Sequence, residues 1–444
     1  MLVSGGIAGF SLCFRRHSSD TAAAMRLQTT RILPNQRQSS GRPCQSCLTP
    51  STTYPVPQNL RSVLIALAVL LTSPFGATVS SADPVGGARP SSATHVVSRS
   101  VASRNLTPRG PQPVQLLVNS QWQVGLHLID SATESLVIAE DGWLHTVAAT
   151  KRDERMRTTD ERFEPASATR MRNQLRAEFG PTFEVVATSN FLVVQPRGRG
   201  DRWPKMFENS HRSFVEYMSK RGVKVRTGRF PMVAVVLPDA RAMYAELDRL
   251  GIDVSRVAGI YANRCNRVMT HDGGRLSDIA ATVRHEAAHQ SAFNSGVHSR
   301  VNDTPSWITE GIGQMFEPEA LASGRSGADL SDRVNRESLN HLRKQLSFRN
   351  ANDITAWVEQ LVDGDEAFRD AGNVHTAYAV AWAMMFYLSE RDSDTFADIL
   401  NFTATRPPFE SYRRGQRRID FERIVGTDTV TFSKRLARFL ISLP

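Results

Sequence analysis

Cysteine is scarce in this 444-residue chain: Cys13, Cys44 and Cys47 stand near the start, and only Cys265 lies beyond. A disulfide scaffold is therefore excluded for everything after the first 47 residues. Cys44-Gln-Ser-Cys47 lacks the second pair or βαβ setting that a zinc or redox site of that spelling needs. Acidic residues are almost missing from residues 1–82, which hold seven arginines, no lysine and Asp20 alone, a net charge of +6. The rest of the chain carries only +4 of the total of +10. The basic excess thus argues little for a nucleic-acid partner, and the Arg-rich stretch 411–423 reads as a solvated helix face or loop. Val63–Leu71 is a nine-residue apolar run, too short to span a bilayer. No internal repeat is visible.

What is present begins with that run. Arg61 precedes it, Pro74-Phe75-Gly76 breaks it, and Ser80 and Ala82 follow at signal-peptidase spacing. Residues 1–82 therefore read as a leader with a secretory signal peptide, its apolar core at 63–71. The expected product is exported (secreted, periplasmic or in the cell envelope), with no stable transmembrane span in the mature chain. The alternative is a buried core helix or a retained anchor. Residues 83–112, rich in Ser, Pro, Gly and Arg, read as a flexible linker.

The next segment, 113–150, alternates apolar and polar residues, and Asp141-Gly142 divides two strand patterns. It predicts a small antiparallel β unit with a turn of two positive-φ residues. Residues 150–175 are charged and poorly patterned and read as a connector. Strands and helices then alternate to about residue 275: a strand pair in "FEVVATSNFLVVQ", a helix at 203–222, a buried strand at 230–238, and a helix at 239–251 between Asp239 and Gly251. A short strand, "NRVMTH" (266–271), is expected at a sheet edge. From 276 to 444 the pattern is mostly helical. The fold class expected is α+β: a small β unit, then 151–275 and 276–444 as the two halves of one domain with a mixed sheet. Sequons stand at Asn105, Asn302 and Asn401.

The chemistry sits in "RLSDIAATVRHEAAHQSAFNSG" (275–296). Ser277 or Asp278 is placed to cap a helix and Gly296 to end it, with Ile279, Val283, Ala287 and Phe293 spaced for a buried face. Helical geometry sets His285 and His289 one turn apart on one stripe, where their imidazoles can share a tetrahedral ion. Glu286 is one residue round, able to reach a water on that ion and accept its proton. Two satisfied histidines on a partly buried helix would spell the same five residues. The second element, "NDTPSWITEGIGQMFE" (302–317), weighs against that reading. Asp303 or Thr304 is the expected cap, Pro305 suits the first turn, and an antiparallel return brings Glu310 back as a third ligand. Two histidines and one glutamate leave a fourth position open, as in a catalytic site. Trp307 is expected beneath the loop, Gly311 at a close helix contact, and Glu317 or Gln314 as acceptor for a ligand imidazole's other N–H.

His285-Glu-Ala-Ala-His289-Gln290 with Trp307-Ile-Thr-Glu310-Gly311 resembles the gluzincin metallopeptidases, the group holding thermolysin and the zinc aminopeptidases. Residues 176–390 also resemble an uncharacterised bacterial family of secreted gluzincin-like proteins, through "FPMVAVVLP", "GIYANRCNRVMTHDGG" and "HTAYAVAWAMMFYL". Gly313 stands where aminopeptidases usually have alanine, and no Gly-x-Met-Glu-Asn stretch is present. The resemblance implies one Zn²⁺, a protein or peptide substrate, and an oxyanion donor, for which it favours Tyr378; His375, three residues earlier, is the other candidate, and an ordinary core tyrosine explains Tyr378 equally well. It also implies an edge strand above the motif helix, a place "NRVMTH" would fill. The leading expectation is a secreted zinc-dependent peptidase. The alternative is a non-catalytic cell-envelope binding protein, acting through its β unit, with a structural or vestigial zinc site.

Overall fold

The apolar run at 230–238 forms a strand covered on both faces, and the layers of the fold follow from it. In the computed structural model the described residues are 111–131, 133–252, 257–274, 276–322, 329–348 and 351–444. The leader, the start of the linker, Asn105 and the side chains of Ser277 and Asp278 lie outside them. The chain is an α+β protein.

Sheet A comes first in the described chain: β1 (Gln112–Val118), β2 (Gln121–Asp130), β3 (Glu134–Ala139) and β4 (Leu144–Ala148), followed by α1 (Arg152–Arg155) and β5 (Met156–Thr158). Its order is β4-β3-β2-β1-β5, antiparallel throughout. β5 arises from the stretch read as a connector, where its pairing with β1 overrides a weak local pattern. The β3–β4 turn also differs from expectation. Only Gly142 has positive φ (+83°), and Gly142 N donates to Ala139 O, so Asp141 stays in the ordinary region and the glycine alone makes the left-handed step.

Sheet B follows, with α2 (Ala168–Phe179), β6 (Phe183–Ala187), β7 (Phe191–Pro196), α3 (Arg202–Lys220), β8 (Met232–Leu237), α4 (Ala240–Arg249), β9 (Gly259–Ala262) and β10 (Arg267–His271). Its order is β6-β7-β8-β10-β9, parallel in the middle and antiparallel at both edges. Val233, Val235 and Leu237 of β8 pack with Met171, Leu175, Met243 and Leu247 of α2 and α4. Met232, Ala234 and Val236 pack on the other face with Trp203 and Phe207 of α3. A strand covered on both faces reads as continuous apolar sequence, which is why this one was legible. Asp239 caps α4 through Ala242 N, as expected.

The helical part comprises α5 (Leu276–Asn294), α6 (Ser306–Met315), α7 (Glu319–Ala322), α8 (Leu330–Arg333), α9 (Arg336–Gln345), α10 (Ala351–Asp363), α11 (Val374–Arg391), α12 (Ser393–Ala404), α13 (Arg414–Val425) and α14 (Thr429–Ser442). α5 lies between sheet and helices. Ile279, Val283 and Ala287 face the sheet, while Ala288 and Ala292 face the helical core. A helix buried on two sides needs small residues, and its alanines supply them. Gly296, at φ +78°, follows its end.

Two expectations are corrected here. β10 is not an edge strand: β8 and β9 flank it, and the open edge belongs to β9. Pro305, not Asp303 or Thr304, stands at the start of α6, and Ser306 N donates to the distant Asp365 carboxylate at 2.8 Å. Asp303 instead accepts from Tyr412 N. Trp307 is buried and packs edge-on against Phe421 of α13. Gly311 does serve a close contact, since a β-carbon there would stand 2.5 Å from the Ala381 carbonyl oxygen of α11. Arginines of the 411–423 stretch are paired, Arg417 with Asp365, Arg418 with Asp363 and Arg423 with Asp420. Asn302 is buried and spends its amide on the Thr403 and Ala404 carbonyls, so this sequon is closed to modification in the folded chain.

Candidate metal centre

Helix periodicity and one tertiary crossing assemble the site. α5 carries His285 and His289 one turn apart, and α6 packs against α5 and α11 so that Glu310 meets them. His285 Nε2 and His289 Nε2 are 3.0 Å apart. Glu310 Oε2 lies 3.3 Å from the first and 3.5 Å from the second. Ligand bonds of about 2.1 Å at a tetrahedral angle require donor atoms about 3.4 Å apart. The three observed separations bracket that edge, so the residues present fit a metal ion. Among the described residues no other group of three or more His, Cys, Asp or Glu side chains gathers at ligand distance. The set leaves a tetrahedral position for a ligand that is not protein.

All three ligand side chains are buried, as is Glu286. Burial alone would push the His285 imidazolium down, but hydrogen bonds to Glu310 and Glu317 and the charge of Glu286 outweigh it and hold its pKa well above the ordinary value. Burial would likewise raise Glu310; the charge of His289 and the histidine hydrogen bonds pull it down to about 2. The pocket thus stabilises a carboxylate facing positive charge, the charge pattern a divalent cation takes over when it displaces the histidine proton.

Outside the ligand set, Glu317 accepts from His285 Nδ1 at 3.0 Å, as its position two turns after Glu310 suggested. That bond leaves Nε2 for the ion. Gln314 does not touch an imidazole; its amide donates to Glu317 Oε1 at 2.7 Å. Asn335, at the start of α9, donates to Glu317 Oε2 at 2.8 Å. No sequence signal marked Asn335, because it meets Glu317 only through packing.

Gly313 has a specific reason to be glycine. A β-carbon there would stand 2.5 Å from His285 Cε1 and Nε2. The alanine of the aminopeptidase pattern would collide with this ligand ring. Gly313→Ala is expected to weaken metal binding about 10- to 100-fold, the scale of losing a ligand's support, with little change in melting temperature. Competition titration against a chelator measures it; wild-type affinity would mean that the ring is not seated on Gly313.

Glu286 stays off the ligand set. Its Oε2 accepts from Tyr261 N of β9 at 2.7 Å, which fixes the carboxylate between the motif helix and the sheet edge. Gly259, on the same strand, would place a β-carbon 3.5 Å from Glu286 Cγ. Neither contact was legible, since each involves backbone. Tyr378 of α11 lies half-buried with its ring centroid 6.3 Å from that of His285, and it hydrogen-bonds Glu310. Burial, then the charges of Glu310 and Glu286, hold its pKa well above the ordinary value, so the phenol keeps its proton. His375 is exposed, its ring 6.4 Å from that of His341. The structure therefore brings Tyr378 to the ligand group and leaves His375 outside. His298 is buried against Phe293, with its pKa pushed down to about 3 by burial and by the charge of His289. His271 Nδ1 instead takes an amide of its own turn, from Gly273.

Among curated proteins, none matches this chain. A model of a protein family described only as a protein of unknown function (DUF1570) matches residues 279–410. The match takes in His285, Glu286, His289, Glu310 and Tyr378, but not "FPMVAVVLP" or "GIYANRCNRVMTHDGG", so it is narrower at its start than the resemblance noted in the sequence.

Proposed function

We propose that the chain is an exported zinc-dependent peptidase, or a closely related amide hydrolase, of gluzincin type. The observation that carries the reading is Glu286: a buried carboxylate beside a three-ligand group, tied to backbone and held apart from the ligand set. A structural metal site has no use for such a group.

Zinc held by His285, His289 and Glu310 would supply a Lewis acid that acidifies water and polarises a carbonyl. Glu286 then accepts the water's proton and passes it to the departing amine. Its hydrogen bond from Tyr261 N keeps the carboxylate aimed. Tyr378, protonated at working pH, donates its phenolic hydrogen to the substrate oxygen as negative charge builds there. β9, the open edge beside the motif helix, is the place for an extended substrate backbone to pair. Export rests on the leader alone. No helix among the described residues is long and apolar enough to cross a membrane.

The test is zinc content of the purified protein with a peptide-library screen, before and after a chelator. The expected result is about one zinc per chain, as three protein ligands require, and cleavage that the chelator removes and zinc restores. Bound zinc with no cleavage of any library would transfer the site to a non-catalytic binding protein.

A further inference from the structure

The sheet edge that holds Glu286 is itself held from outside, by a residue that the proposed chemistry does not use. β9 runs into the turn 263–266 and returns as β10. Arg300, in the loop between α5 and α6, spreads its guanidinium over that turn. Its Nε donates to Asn263 O at 2.6 Å and its Nη2 to Arg264 O at 2.9 Å. Its remaining nitrogen, Nη1, donates to Gly142 O at 2.8 Å, at the tip of the β3–β4 hairpin of sheet A. The hairpin adds its own bond, from Leu144 N to Arg264 O at 2.8 Å, and the Arg267 guanidinium lies over the Trp143 ring. Gly142 is wedged against Phe230, where a β-carbon would meet the ring at 3.1 Å.

We propose that Arg300 is a positioning residue for the β9 edge and its bond to Glu286, and that the β3–β4 hairpin of sheet A is the other half of the same clamp. This rests on the reading of Glu286 as proton carrier. Sheet A is then a brace of the reaction site rather than a separate binding module. A planar fork suits this task because three carbonyls lie on three of its nitrogens, a geometry that lysine's single ammonium cannot reproduce. The clamp acts only on the turn. On the motif-helix side the β9–β10 turn keeps independent ties, from Asn266 Nδ2 to Asn294 Oδ1 at 2.9 Å and from Tyr261 Oη to Asn266 Oδ1 at 2.9 Å. Removing Arg300 therefore loosens β9 without freeing α5.

Arg300→Lys and Arg300→Ala test this in the full protein, with Gly142→Val as a probe from the sheet A side. In all three, amide exchange of residues 259–264 is expected to accelerate about tenfold while exchange in α5 and β8 stays put. Zinc per chain is expected to be unchanged, because the ligands stand on α5 and α6. Peptide turnover should fall about 10- to 100-fold, the range seen when support for a site residue is lost. Unchanged exchange at Tyr261 in Arg300→Lys would overturn the proposal, as would acceleration spread evenly over the domain. An effect of Arg300 without one of Gly142→Val would overturn the part assigned to sheet A. The exchange measurement does not need a substrate, so a protein that cleaves nothing would defeat the peptidase reading and leave the clamp to be judged by itself.

Discussion

Glu310→Ala is expected to strip the metal from the protein. The carboxylate supplies the only negative charge among the three ligand atoms, and it is buried. Two imidazoles alone offer neither the charge nor the geometry to hold a divalent ion against dissociation. The affinity should therefore drop by more than the 10- to 100-fold that loss of a supporting residue costs, a loss that Glu317→Ala should show by itself. Metal content after dialysis, beside a chelator-competition titration of both variants, checks the order. Full occupancy of Glu310→Ala would remove Glu310 from the ligand set and with it the open-site argument.

The second large effect separates chemistry from binding. Glu286→Gln keeps an oxygen to accept the Tyr261 N–H and keeps the side chain's volume, so the strand and helix should hold their places. It has lost the ability to carry a proton at neutral pH. Zinc content is expected to stay at the wild-type level, while turnover falls about 100- to 10,000-fold, the range of general acid–base catalysis. Retained activity would mean that another group moves the proton. Loss of zinc would instead place Glu286 among the ligands.

Legibility followed distance along the chain. The ligand pair, the glycine that ends the motif helix and the cap of α4 each depend on a few neighbouring residues, and all stand where spacing put them. Glu317 was also readable, because it follows Glu310 closely in the chain, just past the end of α6, and so reaches the far side of His285. The cap of α6 was not, since its acceptor is Asp365, some 60 residues on. The strand at 267–271 looked like an edge because its sequence is short and lies just before the motif helix. Its neighbours were decided by the crossover through α4, which sets it beside β8 and sends β9 outside. Choosing between Tyr378 and His375 had the same limit: both lie near the start of α11, and only the packing of α6 on α11 says which one meets Glu310.

By itself the sequence determined the residues able to bind a metal and their helical placement, because an α-helix fixes which side chains share a face within one or two turns. Only the tertiary structure decided that Tyr261 of β9 meets Glu286, that Asn335 meets Glu317, that Gly313 makes room for the His285 ring and that Arg300 joins the β3–β4 turn of sheet A to the turn after β9. Those contacts join backbone groups and side chains far apart in the chain, and no local periodicity encodes which of them packing will bring together.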